Sequence, residues 1–345
     1  MNTQISKAQE NPSLGVMLMI GFCICAPLLD VCAKLASETI PVGQVTTARF
    51  FFQAIIMLPI MWAMGFSFGF PLRLMRNLAF RALMLILSTY CFVAAIAVMP
   101  IADALAIAFV EPFILLVVGK YVFSESVGYR RLIACTVGFI GILLVIQPSF
   151  AAFGWVALFP LGTAVFFAFY MFVTRTLSRD MHAVQMQFHS SWIGTLMCAP
   201  VLILANGSGI VPLDPVWPER LFWFYLIGVG AGASLSHLLM SLALTFAPSS
   251  TLAPLHYLEI VSAVIMGFLV FGDIPNQLAF TGMIIVIASG LYIVFRERQI
   301  GASQWGAACI ASIAISKQVL DKTTNMHGAL GSSVTGLVAL FDVPI

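Results

Sequence analysis

Two glutamates separated by 148 residues, Glu111 and Glu259, each stand eleven residues beyond a proline, Pro100 and Pro248, in otherwise apolar sequence. A carboxylate so placed can bind a substrate amine or carry a proton, because burial raises its pKa toward the range where protonation is reversible. It can equally lock two helices together through interhelical hydrogen bonds. His256 lies three residues before Glu259, a spacing that puts both side chains on one helical face. The two form either a proton relay or a glutamate beside a histidine bonded to a neighbouring carbonyl. His237 and His189 are weaker candidates of the same kind. Asp30 and Lys34 are four residues apart and can pair, although Lys34 is also placed to snorkel. Arg49 can draw an anionic group inward, or bond Glu38 or a lipid phosphate. Tyr90, Trp192 and Tyr257 stand beside polar residues, where an aromatic wall would suit a flat substrate. Asp103 is expected to cap the helix that follows Pro100.

Other chemistry is poorly supported. No His or Cys pair with carboxylate support has metal-ligand spacing, and nothing implies a cofactor. Gly65, Ser67 and Gly69 spell the hydrolase elbow G-x-S-x-G by letter, but that motif needs a strand before it and a helix after it. Gly228, Gly230 and Gly232 lie in an apolar run and read as close helix packing. Cys23 and Cys25 lack the two-residue spacer of a redox or zinc hairpin. With no nucleophile and base in sight, the chain is expected not to be an enzyme.

The elements that must position these residues follow from composition. Of 345 residues, 61% are hydrophobic and only 9% charged, where a soluble domain carries about 25% charged. A soluble fold is excluded, and a net charge of +2 gives no reason to expect nucleic acid. Apolar runs fall at about 14–36, 46–65, 80–98, 102–122, 131–147, 154–174, 186–205, 221–245, 250–271 and 278–295, predicting ten helices of membrane-spanning length. The separators are short and carry breakers such as Pro71, Pro148-Ser149 and Pro275-Asn276. With the N-terminus inside, the cytoplasmic set collects Lys7, Arg73, Arg76, Arg81, Arg130, Arg131, Arg175, Arg179, Arg296 and Arg298, which favours N-in and C-in.

The second half repeats the first. An offset of 141 brings Gly21 onto Gly162, Lys34 onto Arg175, Ser37 onto Ser178 and Pro59 onto Pro200, and an offset of 148 brings Ser88 onto Ser236, Pro100 onto Pro248, Glu111 onto Glu259 and Glu125 onto Asp273. Five helices per half is an odd number, so the halves run oppositely through the bilayer, and such inverted repeats are a signature of secondary transporters with a midplane site.

Lys34 late in the first helix, Pro41 and Arg49 opening the second, and Met99-Pro100 to Glu125 around the fourth make the chain resemble the EamA family of the drug/metabolite transporter superfamily. The stretch MPIADALAIAFVEPFILLVVGKYVFSES and its second copy FAPSSTLAPLHYLEIVSAVIMGFLVFGD resemble that family's proline, small-residue helix and terminal acidic residue. The likeness spans about residues 14–298. It implies ten helices as two inverted repeats, and alternating-access movement of a small polar or aromatic metabolite: an amino acid, an amine, a nucleotide-like compound, S-adenosylmethionine or a vitamin such as riboflavin. Asp30 and the glutamate pair stand outside the family pattern, as does the tail after Arg298.

The expected organisation is a cytoplasmic tail at 1–13, repeats at 14–147 and 154–298, and a tail at 299–345 of unassigned role. The expected setting is the inner membrane, as a multi-pass monomer or homodimer whose partners are the bilayer, the substrate and, if transport is coupled, protons. A channel-like facilitator is the alternative, disfavoured by the repeat and by the lack of a filter segment; a membrane-embedded enzyme is the weaker one.

Overall fold

The computed structural model describes residues 12–66, 68–69, 71–111, 113–114, 129–177, 180–246, 255, 257–289 and 291–292. Among them every regular element is helical: α1 (Pro12–Ala36), α2 (Val42–Ala63), α3 (Leu72–Ile96), α4 (Ile101–Ala108), α5 (Tyr129–Phe153), a 3-10 segment (Gly154–Leu158), α6 (Phe159–Leu177), α7 (Ala183–Ala205), α8 (Arg220–Phe246) and α9 (Leu258–Phe271), then α10 (Gln277–Ser289). Among the described residues six stretches are long and apolar enough to cross a membrane: Ser13–Ala36, Val42–Ala63, Leu72–Ile96, Thr136–Thr174, Ala183–Ala205 and Arg220–Met240.

The polarity of these helices is reversed relative to a soluble bundle. On α1, Met17, Ile24 and Leu28 are 68, 45 and 44% exposed, while Cys23, Asp30 and Ala33 on the opposite face are buried. On α2 the exposed side chains are Phe51, Ile55, Leu58 and Trp62, and the buried ones include Thr46, Arg49 and Gln53. Apolar side chains outside and polar ones inside is the arrangement that hydrocarbon selects, since ionisable groups there must face the bundle interior or a cavity.

Three boundaries differ from the sequence expectation. Helix α3 begins at Leu72, directly after Pro71 in extended conformation, so Arg73, Arg76 and Arg81 belong to a helix and not to a loop. Pro148 lies inside α5, where it forfeits one backbone bond without ending the helix. The break comes instead at Gly154, whose φ of 64° is the left-handed conformation that glycine adopts without steric cost. The expected helix 102–122 is helical only to Ala108 before turning at Phe109-Val110.

The halves pack on each other. α1 lies against α8 and α9, α2 against α7 and α8, α3 against α6 and α7, and α4 against α9 and α6. Exchanging α1 for α6, α2 for α7, α3 for α8 and α4 for α9 returns the same set of pairs, with α2·α7 and α4·α9 mapping onto themselves.

The fifth helices of each half also meet, at glycines. A Cβ on Gly282 would lie 2.5 Å from the carbonyl oxygen of Gly141, and one on Gly141 would lie 2.9 Å from that of Gly282. Gly282→Ala should therefore lower the thermal midpoint in detergent, with overpacking of about 1–3 kcal/mol exceeding the ~1 kcal/mol gained in helix propensity. Gly267→Ala on α9 is the control, because its methyl meets only Asp273 Cβ at 3.9 Å, and it should leave the midpoint unchanged or raise it.

Candidate functional site

Between the halves lies a cavity of about 170 Å³, walled by α1, α2, α3, α6, α8, α9 and the α4 region. By this measure one water takes about 10–15 Å³, so the space would hold about a dozen waters or an organic molecule of similar bulk. Its ionisable lining is Asp30, Arg49, Glu111, His237 and Glu259. Ser88, Thr89, Thr163 and Ser236 supply hydroxyls, and Phe22, Phe92, Phe109 and Phe167 supply rings.

Both glutamates are carried by interrupted helices. After α4 the chain turns at Phe109-Val110, with Val110 N–H bonded to Ile107 C=O at 3.2 Å, and turns helical again at Glu111. In the second half Leu255 is helical, Tyr257 is a turn residue and α9 starts at Leu258. The register of 148 places Phe109 on Tyr257, so the two breaks are equivalent, and their rings touch with centroids 5.3 Å apart. Glu259 falls in the first turn of α9, where the positive end of a helix favours a carboxylate. It is 7% exposed. Broken helices at the repeat interface are the usual way transporters place polar groups at mid-depth.

Two walls of opposite sign face this space. Asp30 on α1 interacts electrostatically with Glu259 and with Arg49. Arg49 on α2 donates to Thr89 Oγ1 on α3 and lies with Nη2 3.0 Å from Nε2 of His237 on α8. A guanidinium only donates, so that imidazole nitrogen accepts and the ring proton sits on Nδ1. Arg49 is 7% exposed, which turns it away from a lipid phosphate, and among the described residues it forms no ion pair with Glu38. Its Nε has no hydrogen-bond partner among the described residues.

Lys34 belongs to a different place. It does not pair with Asp30; its Nζ lies 2.8 Å from Asp273 Oδ2, donates to Met99 C=O at 3.1 Å and sits 4.5 Å from the Phe271 ring centroid. Gly272, at φ 70°, ends α9 in a left-handed cap, with Asp273 N–H bonded back to Gly267 C=O, and this turn brings the carboxylate to Lys34. Asp103 is nearby and is not a cap. The N-cap of α4 is Pro100, which leaves Asp103 inside the first turn beside Ser149 on α5. Its Oδ1 has no partner among the described residues.

The remaining candidates lie off the cavity lining. Tyr90 is half-buried on α3; Trp192 donates to His189 Nδ1 at 3.0 Å on α7; Tyr257 packs on Phe109. His256 lies outside the described residues. Sequence reasoning missed the hydroxyls, although the match of Ser88 with Ser236 had already flagged two of them, and it missed the four phenylalanines, which nothing distinguishes among 29. It also placed Arg81 among the loop charges. Arg81 is 2% exposed and is saturated by Thr174, Met186 C=O, Ser190, Tyr170 and Gln187. Among the described residues no group of three His, Cys, Asp or Glu could hold a metal.

The EamA-like transporter family model matches residues 13–147 and again 154–296. An S-adenosylmethionine uptake transporter of Rickettsia bellii is 23% identical over 297 residues, 86% of this chain and 98% of that protein. A riboflavin transporter of Vibrio cholerae is 23% identical over 83% of this chain and 94% of its own. A pseudopaline exporter of Pseudomonas aeruginosa is 24% identical over 80% of this chain and 94% of its own. One solved crystal structure superposes with a TM-score of 0.59 at 14% identity, covering 84% of this chain and 99% of that one, which is a likeness of fold.

Proposed function

Since the chain belongs to the EamA-like transporter family, and so moves a small molecule across a membrane and is not an enzyme, we propose that its cargo is a small polar or aromatic metabolite. Transport is by alternating access through the cavity between the two repeats. The observation that carries this reading is the cavity itself, with Glu111 and Glu259 on equivalent helix breaks of opposite halves and both in its wall. The relatives named for S-adenosylmethionine, riboflavin and pseudopaline support cargo of this size and polarity.

The full arrangement in this proposal is ten crossings, N-in and C-in, in the inner membrane. The apolar stretch Thr136–Thr174 supports it: its 39 residues would measure about 58 Å as one helix, twice a hydrocarbon core of about 30 Å, and it turns at Gly154. Arg73 and Arg76 near the start of α3, Arg130 and Arg131 at the start of α5 and Arg175 near the end of α6 support the orientation. A monomer or a homodimer fits this arrangement. Coupling to protons would use Glu111 or Glu259; exchange without coupling needs neither to titrate.

The test is counterflow in proteoliposomes. A carrier loaded with unlabelled cargo should accumulate labelled cargo transiently above equilibrium, and stepwise single-channel currents with no counterflow would end the carrier reading.

Lys34 and Asp273 act in this scheme as a clamp across the halves, from the end of α1 to the end of α9. A pair of this kind is worth about 1 kcal/mol, a roughly fivefold bias on a two-state equilibrium. Lys34→Ala should accordingly raise maleimide labelling of a cysteine placed at the cavity residue Ala33 by a few-fold. The exchange Lys34→Asp with Asp273→Lys should restore wild-type labelling. Unchanged labelling in Lys34→Ala would make the pair a passive surface contact.

A further inference from the structure

We propose that the cavity selects a charge-separated substrate, with a carboxylate held at the Arg49 wall and an ammonium group held at the wall of Asp30 and Glu259. The inference rests on the transporter reading and concerns what that site takes.

The two buried arginines make the argument by contrast. Arg81 lies away from the cavity lining with all three of its nitrogens bonded to protein oxygens. Arg49 lines the cavity, its partners Thr89 and His237 are neutral, and Nε has none among the described residues. A buried cation normally has a counter-charge or full hydrogen bonding, and Arg81 has the second. Arg49 has neither in full, and the residue lines an opening from which a ligand anion can supply the counter-charge. Planar recognition of a carboxylate is what the guanidinium does best.

The other wall is acidic. Asp30 is 6% exposed and lines the same opening, and among the described residues the one ion pair is Lys34 with Asp273. Asp30 therefore has no cation within bonding range there, although it interacts electrostatically with both Arg49 and Glu259. Asp30, Glu111 and Glu259 against Arg49 give the lining an excess of acidic groups, so an anionic ligand is disfavoured and a ligand ammonium is favoured. Asp30 and Arg49 are near enough to interact and too far apart to bond. A molecule with an ammonium and a carboxylate on one carbon bridges them, and leaves its remaining body against Phe22, Phe92 and Phe109.

The experiment measures thermal shifts of the full-length protein in detergent with matched sets: S-adenosylmethionine and its decarboxylated form; tryptophan, tryptamine and indole-3-propionate; arginine and agmatine; with riboflavin as the uncharged aromatic. Tryptophan should bind tenfold or more tighter than both tryptamine and indole-3-propionate, or S-adenosylmethionine or arginine tenfold or more tighter than its decarboxylated form. Arg49→Gln should erase the preference over the decarboxylated partner, and Asp30→Asn the preference over the deaminated one. If Arg49→Gln does not fold, Arg49→Lys and the wild-type comparison of matched sets decide. Tightest binding of riboflavin or of an anion, binding of none of the sets, or an equal loss for all ligands in Arg49→Gln overturns the proposal. Proteoliposome uptake separates the two readings: uptake of a neutral ligand keeps the carrier and ends charge selection, whereas zwitterion binding without flux does the reverse.

Discussion

Glu259→Gln is expected to reduce transport, as kcat/KM in proteoliposomes, by about 100-fold, or ~2.7 kcal/mol at 1.36 kcal/mol per tenfold. The thermal midpoint should move little. The side chain is buried at the first turn of α9 and lines the cavity with Asp30, and glutamine matches it in volume while keeping one acceptor oxygen. What the substitution removes is charge and the ability to carry a proton. Glu111→Gln, at the equivalent break, should act in the same direction. If the glutamates only tie the α4 region to α9, the amide keeps one acceptor and loses the charge-assisted part of that bonding; transport would then fall less than threefold while stability fell, which is the opposite division of effects.

The largest effect on stability is expected at Arg81. Its guanidinium ties α3 to α6 through Tyr170 and Thr174 and to α7 through Met186 C=O, Gln187 and Ser190, and the Tyr170 ring lies under it at 4.4 Å. Removing one member of a buried ionic or polar cluster strands the rest, at about 3–5 kcal/mol. Arg81→Met should thus lower the midpoint by on the order of 5–10 °C. Because Arg81 is not in the cavity wall, turnover per folded molecule should stay within threefold. Arg81→Lys should recover only part of the loss, since a compact ammonium cannot span partners on two helices at once. A midpoint shift under 2 °C in Arg81→Met would mean the cluster is replaceable.

The parts of the site that sequence could reveal are those that repetition marks. Glu111 with Glu259 and Ser88 with Ser236 were visible because each recurs at one offset, and recurrence survives without knowledge of packing. The breaks at Phe109 and Tyr257 were not read from the sequence, although each has a proline three residues away, Pro112 and Pro254, and a proline forfeits a helical backbone bond. The apolar residues around them favour a continuous helix, and the prolines alone do not say where it turns. Arg81 was misplaced because a positive charge near a loop is ordinarily an orientation signal, and only its partners on α6 and α7 show otherwise. Lys34 was paired with Asp30 by local spacing, but Asp273 lies 239 positions away and reaches it through the left-handed turn at Gly272. Local rules cannot rank a neighbour against a partner that distant.

The pairing of first-half with second-half helices also sets a problem of timing. Arg49 meets His237 across 188 positions, and Lys34 meets Asp273 across 239. At a synthesis rate of about 5–20 residues per second, the shorter of these separations takes about 10–40 s to translate. For that interval α1 and α2 carry Asp30, Lys34 and Arg49 with their final partners not yet made. The newborn first half must spend it held at the insertion machinery, or with its charged faces turned to water or to each other, before the second half arrives to cover them.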